Sequence, residues 1–262
     1  MKQYIVDAFA ERLFAGNPAA VVPCSKMPSP KLMQDIALEN NYSETAFVVK
    51  TDEGHYDLKW FTPGGEIDLC GHATLATAFV LHEFVDKGVK EMHFHTLSGE
   101  LVVTVGEDGF TMDFPVGKSK PIPLTEAILK ATSGLAKEAF YDGGDLVVVI
   151  DNEWDLIEFV PDGELIKALD GLGLVMTAKS AHCDFVSRCF YPKLNVLEDP
   201  VTGRAHTFMA PIWTQKLRKD ILYAKQLSKR GGAMTVQCRG ERVFLTGKAQ
   251  LFMEGEISVN AE

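Results

Sequence analysis

Two short segments copy one another, and they constrain the fold of this chain more than any other feature. Leu69-Cys70-Gly71-His72-Ala73-Thr74 stands in the first half and Val201-Thr202-Gly203-Arg204-Ala205-His206 in the second. Each is a Gly-centred turn that follows an acidic, turn-prone segment and leads into an apolar run at helical spacing. A turn of this kind leaves the first backbone N–H groups of its helix outside the helical ladder, and a helix N-terminus attracts anions. Two such turns facing each other would grip a small carboxylate.

The remaining pattern is sheet-rich in both halves. Residues 4–9 read as a strand. Ser29-Pro30 supplies a cap and a first-turn proline for a helix whose apolar stripe is Leu32, Met33, Ile36 and Ala37. Glu44 to Val49 and the alternating run Tyr56 to Trp60 are strands, and Ala73 to Phe84 is a helix. Hairpins follow at Ser98-Gly99 and Glu107-Asp108-Gly109. After Pro115 the pattern begins again. Residues 124–132, 161–169 and 205–217 are predicted helices, and residues 146–150, 174–178, 184–190, 234–238, 243–246 and 250–253 predicted strands. The segment Pro115 to Leu124, with three prolines and two lysines, marks a junction. The expected domains are 1–116 and 117–249, with a C-terminal strand at about 250–262 returning to the first.

Composition narrows the function. A net charge of −10 over 262 residues argues against a nucleic-acid surface. No run approaches the ~18 apolar residues of a membrane helix, and no signal-peptide pattern precedes the first strand. Five cysteines without a Cys-x-x-Cys suggest neither a disulfide framework nor a zinc ribbon. The expectation is a cytoplasmic protein with no nucleic-acid or membrane partner. His93-Phe94-His95 places two imidazoles on one strand face, but no third ligand is apparent in the sequence, so a solvent-facing pair is expected and no metal site.

Several residues carry candidate chemistry, each beside a plainer reading. Asp199, in Glu198-Asp199-Pro200-Val201-Thr202-Gly203, belongs either to a structural turn or to a carboxylate held beside a ligand at a helix N-terminus. Cys70 is a small buried hydrophobe or a thiol whose ionised form the helix favours. For His72 the helix dipole disfavours the cation, which suggests a neutral imidazole. Glu44 is a solvated edge charge or, if buried, a general base. Asn17, in a tight turn into a strand, is structural or presents its amide to a ligand. Arg230 is a turn residue or an anion contact.

Together these segments resemble the PhzF-like family, the phenazine-biosynthesis isomerases, within the diaminopimelate-epimerase-like fold. The matching stretches are Asp7-Ala8-Phe9, Phe14-Ala15-Gly16-Asn17-Pro18-Ala19-Ala20-Val21, Ser43-Glu44-Thr45-Ala46-Phe47, Trp60-Phe61-Thr62-Pro63, Leu69 to Ala76 and Glu198 to Gly203, with His206 and Trp213 beyond. They span nearly the whole chain in the family's order.

The resemblance implies an α+β fold of two pseudo-symmetric domains, each a curved, mostly antiparallel sheet around a central helix, with the active site in the cleft between them, and a homodimer. It implies a cofactor-independent isomerase like trans-2,3-dihydro-3-hydroxyanthranilate isomerase, acting on a small anionic metabolite. Glu44, His72 and Asp199 match the family's acid/base residues. Asn17, Gly71, Ala73, Thr202, Gly203 and Arg204 are the expected substrate-binding positions. Related racemases place a thiol before each Gly, whereas this chain has Cys70 and Thr202, so two-thiol racemisation is not expected. The family's usual Ser after the second Gly is Arg204 here, which points to a more anionic or smaller substrate. The alternatives are a catalytically reduced binding or interaction protein that keeps the fold, and an epimerase pairing Cys70 with a non-thiol group.

Overall fold

The first strand, β1 (Lys2–Ala8), is buried on both faces after its exposed first residue, so Tyr4, Ile5 and Val6 follow one another without alternation and Gln3 and Asp7 are buried polar residues. It belongs to a computed structural model that describes residues 1–141 and 143–259. The chain forms two units, one of Met1–Asp113 with the chain from Thr246 onward, the other of Phe114–Leu245.

In the first unit β1 pairs antiparallel with β2 (Asn17–Cys24). Helix α1 (Pro30–Asn40) then carries the chain to β3 (Glu44–Asp52), parallel to β2. β3 turns antiparallel into β4 (His55–Thr62) and the short β5 (Gly65–Ile67). Helix α2 (Gly71–Val80) crosses over to β6 (Glu91–Thr96), parallel to β4. β7 (Gly99–Gly106) and β8 (Gly109–Pro115) follow as an antiparallel meander.

The second unit repeats this order. β9 (Lys120–Ile122) and α3 (Glu126–Ala131) lead to β10 (Glu138–Tyr141), antiparallel to β11 (Asp145–Val149). Helices α4 (Glu153–Glu158) and α5 (Gly163–Lys167) cross to β12 (Gly173–Lys179), parallel to β11. β13 (Phe185–Tyr191) returns antiparallel and adds the short β14 (Val196–Asp199). Helix α6 (Gly203–Leu217) crosses to β15 (Ile221–Gln226), parallel to β13, followed by β16 (Gly232–Arg239) and β17 (Arg242–Gly247). β18 (Ala249–Glu256) closes the first unit by pairing antiparallel with β1. The last three residues of the expected returning strand, 260–262, lie outside the described residues.

The fold is thus α+β and mostly antiparallel, with two parallel crossovers in each unit. The duplicated Gly turns sit at the same place in both, where the second crossover helix begins. α2 packs against β1, β2 and β3, and only Gly71 and Phe79 among its residues are not fully buried. Its sequence of Ala, Thr and Leu is what a helix enclosed by a sheet requires, with Thr74 and Thr77 turning their hydroxyls back onto the carbonyls of Cys70 and Ala73. The apolar spacing predicts one helix to Phe84. The α-helix instead ends at Val80 and gives way to a π turn over Leu81–Val85, closed by the Asp86 N–H to Leu81 O at 2.7 Å.

α6 contains Pro211, which has no N–H to offer the carbonyl of Thr207. The Gly117 N–H donates to that carbonyl instead, at 3.1 Å. A Cβ at position 117 would lie 1.8 Å from Phe208 Cδ1, so only glycine approaches closely enough to make the bond.

Several elements have no clear sequence signal. β9, β10, β14, β15 and α4 are short or lack periodicity. The expected helices at 124–132 and 161–169 are trimmed by their caps, Thr125 and Asp162.

Candidate active site

Glu44 is the first residue of β3 and stands beside Ala19 of β2 in register. Its side chain is 14% exposed, and Oε2 lies 2.8 Å from His72 Nε2 at the start of α2. The two atoms are at ion-pair distance, with the ring turned out of good hydrogen-bond alignment. On the other side of the imidazole, Asn17 Nδ2 and Cys70 Sγ approach Nδ1 at 3.3 and 3.5 Å. Asn17 is fully buried where β2 begins. When the ring is neutral, a proton on Nε2 toward Glu44 leaves Nδ1 to accept from the Asn17 amide.

This environment reverses the reading of His72 at the helix start and decides between the two readings of Cys70. Burial works against a charged His72. The Glu44 carboxylate at contact distance, with the hydrogen bond to Cys70, outweighs it and holds His72 well above its ordinary value. A carboxylate at contact distance thus wins over the helix dipole, which is worth only about 0.3–1 kcal/mol. Of the two readings of Cys70, the buried thiol is the one the surroundings favour: burial first, and then the neighbouring Glu44 charge, push it up. At neutral pH the pocket holds a thiol. Iodoacetamide at pH 7.5 is therefore expected to modify Cys70 at least about tenfold more slowly than a free thiol, as mass mapping of the alkylated peptides would report; labelling at the free-thiol rate would contradict this.

Glu44, Cys70 and His72 together offer oxygen, sulfur and nitrogen donors within 4.8 Å. Cys70 faces Nδ1 and Glu44 faces Nε2, however, and these lie on opposite sides of one ring. A single ion ligated by that ring reaches one neighbour or the other. The arrangement suits proton exchange between Glu44 and His72 better than chelation.

Around the turn, the first helical bond of α2 runs from the Thr74 N–H to Cys70 O at 3.2 Å. The N–H groups of Gly71, His72 and Ala73 therefore fall outside the ladder.

The remaining predicted residues lie in the second unit. Asp199 ends β14, and its carboxylate takes a very short contact from the Thr202 hydroxyl. Buried Gln226, at the end of β15, holds this loop at three points. Its Oε1 accepts from the Thr202 N–H at 2.9 Å, and its Nε2 donates to Asp199 O at 2.8 Å and to Thr202 Oγ1 at 3.3 Å. Gly203 and Arg204 open α6. Ser228 Oγ anchors Pro200 O at 2.7 Å, and beside it the Gly231 N–H donates to the same hydroxyl, so the Arg230 segment is bonded to the turn that carries Asp199.

Arg204 is not an isolated charge. Its Nη1 is 3.5 Å from Asp145 Oδ2 and its guanidinium lies over the Phe208 ring at 5.3 Å. Asp145, the first residue of β11, is fully buried, and the Tyr191 hydroxyl approaches the same oxygen at 3.4 Å. In the repeated topology Arg204 holds the place of His72, one residue after the turn Gly, and Asp145 stands at the strand start corresponding to Asn17. The guanidinium is already compensated by a buried carboxylate and offers a ligand N–H donors rather than uncompensated charge.

His206 lies in the first turn of α6, fully buried, with Nδ1 donating to Thr202 O at 2.8 Å. Burial pushes it down to about 4, outweighing the backbone hydrogen bond that raises it. Because the folded value is depressed, the unfolded chain binds this proton first as pH falls. Stability is therefore expected to drop by about 3 kcal/mol from pH 6.5 to 4 on account of this group. Urea titrations across that range would measure it, and His206→Gln is expected to flatten the slope. An unchanged slope in that variant would assign the acid sensitivity elsewhere.

The predicted set is thus divided over the two units: Asn17, Glu44, Gly71, His72 and Ala73 in the first, Asp199, Thr202, Gly203 and Arg204 in the second. Sequence reasoning missed Asp145, Gln226 and Arg188. Each is a buried polar residue in an apolar strand, and that exception to the pattern is the signal that marks them.

Comparison with known proteins places this geometry in a family. The family model described as phenazine biosynthesis-like protein matches residues 6–255. An uncharacterized isomerase of Pseudomonas aeruginosa is 47% identical over 252 residues, 96% of each chain. The crystal structure of a PhzF-family phenazine biosynthesis protein from Enterococcus faecalis superposes with a TM-score of 0.95 at 46% identity, covering 98% of this chain and 99% of that one. A probable proline racemase from Agrobacterium radiobacter, 10% identical, shares the fold alone, with a TM-score of 0.63 over 99% and 93% of the two chains. The chain is a member of the phenazine biosynthesis-like, PhzF family of isomerase-like proteins.

Proposed function

We propose that this protein is a cofactor-independent isomerase that moves a proton on a small carboxylate-bearing substrate. The observation that carries the reading is the buried contact of Glu44 with His72, 2.8 Å apart at a helix N-terminus, in a chain whose relatives bear isomerase names. Glu44 takes a proton from a carbon next to an unsaturated or carbonyl-like system. The C–H electron pair moves into that system, and the proton returns at another carbon of the same molecule. Nothing is oxidised or reduced, so no redox cofactor enters. His72 holds the Glu44 carboxylate in place and shares its proton. The N–H groups of Gly71 and His72 at the start of α2 hold the substrate carboxylate, and those of Gly203 and Arg204 form the equivalent turn of the second unit. Asp199, set by Thr202 and Gln226, takes the amino or hydroxyl group. A homodimer in the cytoplasm is part of the same proposal, the oligomeric state to be read from sedimentation.

The test is proton NMR in D2O with 2,3-dihydro-3-hydroxyanthranilate and a panel of small cyclic and acyclic amino and hydroxy acids. Carbon-bound deuterium in one compound, absent with Glu44→Gln, identifies the substrate class. The competing reading, a binding protein that keeps the fold, draws on Arg204, whose guanidinium occupies the place of the family's usual serine. It predicts ligand binding by calorimetry with no exchange into any bound compound. An epimerase built on Cys70 predicts loss of exchange in Cys70→Ser, whereas the isomerase keeps most of it.

A further inference from the structure

The His93-Phe94-His95 pair does not stand alone on its strand. Parallel pairing sets His55 of β4 directly opposite His93 of β6, and antiparallel pairing sets Glu100 of β7 opposite His95. Because side chains alternate along a strand, His55, His93, His95, Glu91 and Glu100 share one face, while Tyr56, Met92 and Phe94 point into the core. The His55 ring lies 4.7 Å from that of His93 and 6.0 Å from that of His95.

The hydrogen bonding of His93 is what points to a ligand. Its Nε2 lies 3.0 Å from Glu91 Oε1, so the ring donates its proton there. Nδ1 is then a bare lone pair. It is shielded from solvent, has no hydrogen-bond partner among the described residues, and faces Glu100 Oε1 at 3.4 Å. With the ring neutral, two acceptors aimed at each other take a cation between them, either a second ring proton or a metal ion in its place. A histidine that gives one N–H to a carboxylate and turns the other nitrogen to a metal is the usual arrangement at zinc sites. Donors around a tetrahedral zinc at ~2.1 Å stand about 3.4 Å apart, which is the separation already present. One ligand atom each from His55, His93 and Glu100 lies within 4.8 Å of the others. The stacked His55 ring closes the remaining distance by turning about its last side-chain torsion, which is soft in histidine.

We propose that this face binds a divalent transition ion of the zinc class through His93 Nδ1, a His55 ring nitrogen and a Glu100 oxygen, with Glu91 orienting His93. Water or His95 completes the coordination. Bound there, the ion clips β4 to β6 and β7. This revises the expectation of no metal site, because the third and fourth donors come from strands that the sequence alone does not align with His93. The site is independent of the proposed isomerase reaction.

Isothermal titration of the full chain with zinc chloride tests it. One equivalent is expected to bind, and Tm is expected to rise with zinc concentration. His93→Gln and His55→Asn are each expected to weaken that equivalent by at least about tenfold, and Glu91→Gln by about tenfold through loss of ring orientation. Cys70→Ser is expected to leave it in place. Nitrogen-15 shifts of the imidazoles add a readout that does not depend on stability, with Nδ1 of His93 moving on zinc addition. No saturable binding, wild-type affinity in both histidine variants, or loss of the equivalent in Cys70→Ser alone would overturn the proposal.

Discussion

Glu44→Gln is expected to cut proton exchange and turnover by about 10²–10⁴-fold, the usual contribution of a positioned general base, while the protein still folds. Gln keeps the length and one acceptor oxygen at the position 2.8 Å from His72 Nε2, so packing around α2 is conserved. It removes the charge. His72 sits well above its ordinary value because the Glu44 charge and the hydrogen bond to Cys70 outweigh burial, and the thiol is held protonated, so Glu44 is the acting partner near neutral pH. In Glu44→Gln the His72 titration is expected to fall toward or below the ordinary histidine range. The sign for stability follows. A raised folded value means that the wild-type pair contributes stability in full below pH ~6.5 and loses it as pH rises through the folded value. The variant should lack that falling limb. Side-chain NMR of His72, denaturation against pH and the deuterium assay together separate roles. Near-normal turnover would remove Glu44 from the chemistry, whereas lost turnover with a collapsed melt would make its role structural.

The part of the fold legible in the sequence is the part written in local chemistry. Ser29 caps α1, its Oγ accepting from the Leu32 N–H at 3.4 Å, and the two Gly turns mark the starts of α2 and α6 because a turn residue followed by an apolar stripe needs no distant partner to be read. Glu44, His72 and Asn17 entered as separate candidates, and their meeting depends on β2 and β3 being parallel across α1, a pairing that periodicity does not reveal. The helix dipole pointed the wrong way for His72 for the same reason, while of the two readings of Cys70 the buried one agrees with its surroundings. The helix dipole is a local quantity, but the burial and the carboxylate that override it come from 26 and 28 positions away in the chain. β14 read as a bare turn because Glu198-Asp199-Pro200 is turn chemistry; its pairing is with β13, through Cys189 and Tyr191. Gln226 and Asp145 carry no local motif at all. Each is a buried polar residue at the end of a strand, Gln226 acting on the loop of Thr202 and Asp145 on Arg204 at the start of α6.

Arg188 gives the largest effect on stability. Its Nε and Nη2 form a fork on Glu198, at 2.7 Å to Oε1 and 3.0 Å to Oε2. Its Nη1 donates to Leu156 O at 2.9 Å and Phe159 O at 2.7 Å, carbonyls at the C-terminal end of α4 that have lost their helical partners. The side chain is 11% exposed and its guanidinium lies over the Phe190 ring at 5.1 Å. One residue therefore ties α4 to β13 and fixes Glu198, the neighbour of Asp199. Arg188→Met keeps the volume and strands a largely buried carboxylate and two carbonyls, so the expected loss is about 3–5 kcal/mol. That corresponds to a fall in Tm of roughly 10 °C for a unit of this size. Arg188→Lys should recover little, since a single ammonium cannot hold the fork and the carbonyls together. Arg188→Met combined with Glu198→Leu should be more stable than Arg188→Met alone, because the stranded charge is gone. Calorimetric melts of the three variants decide the matter: equal Tm in all of them and the wild type would show that the network contributes nothing. Where Arg188→Met still folds at assay temperature, substrate affinity is expected to weaken with it, as the loop carrying Asp199 loses its anchor on the Glu198 side and keeps only the hold of Gln226 and Ser228.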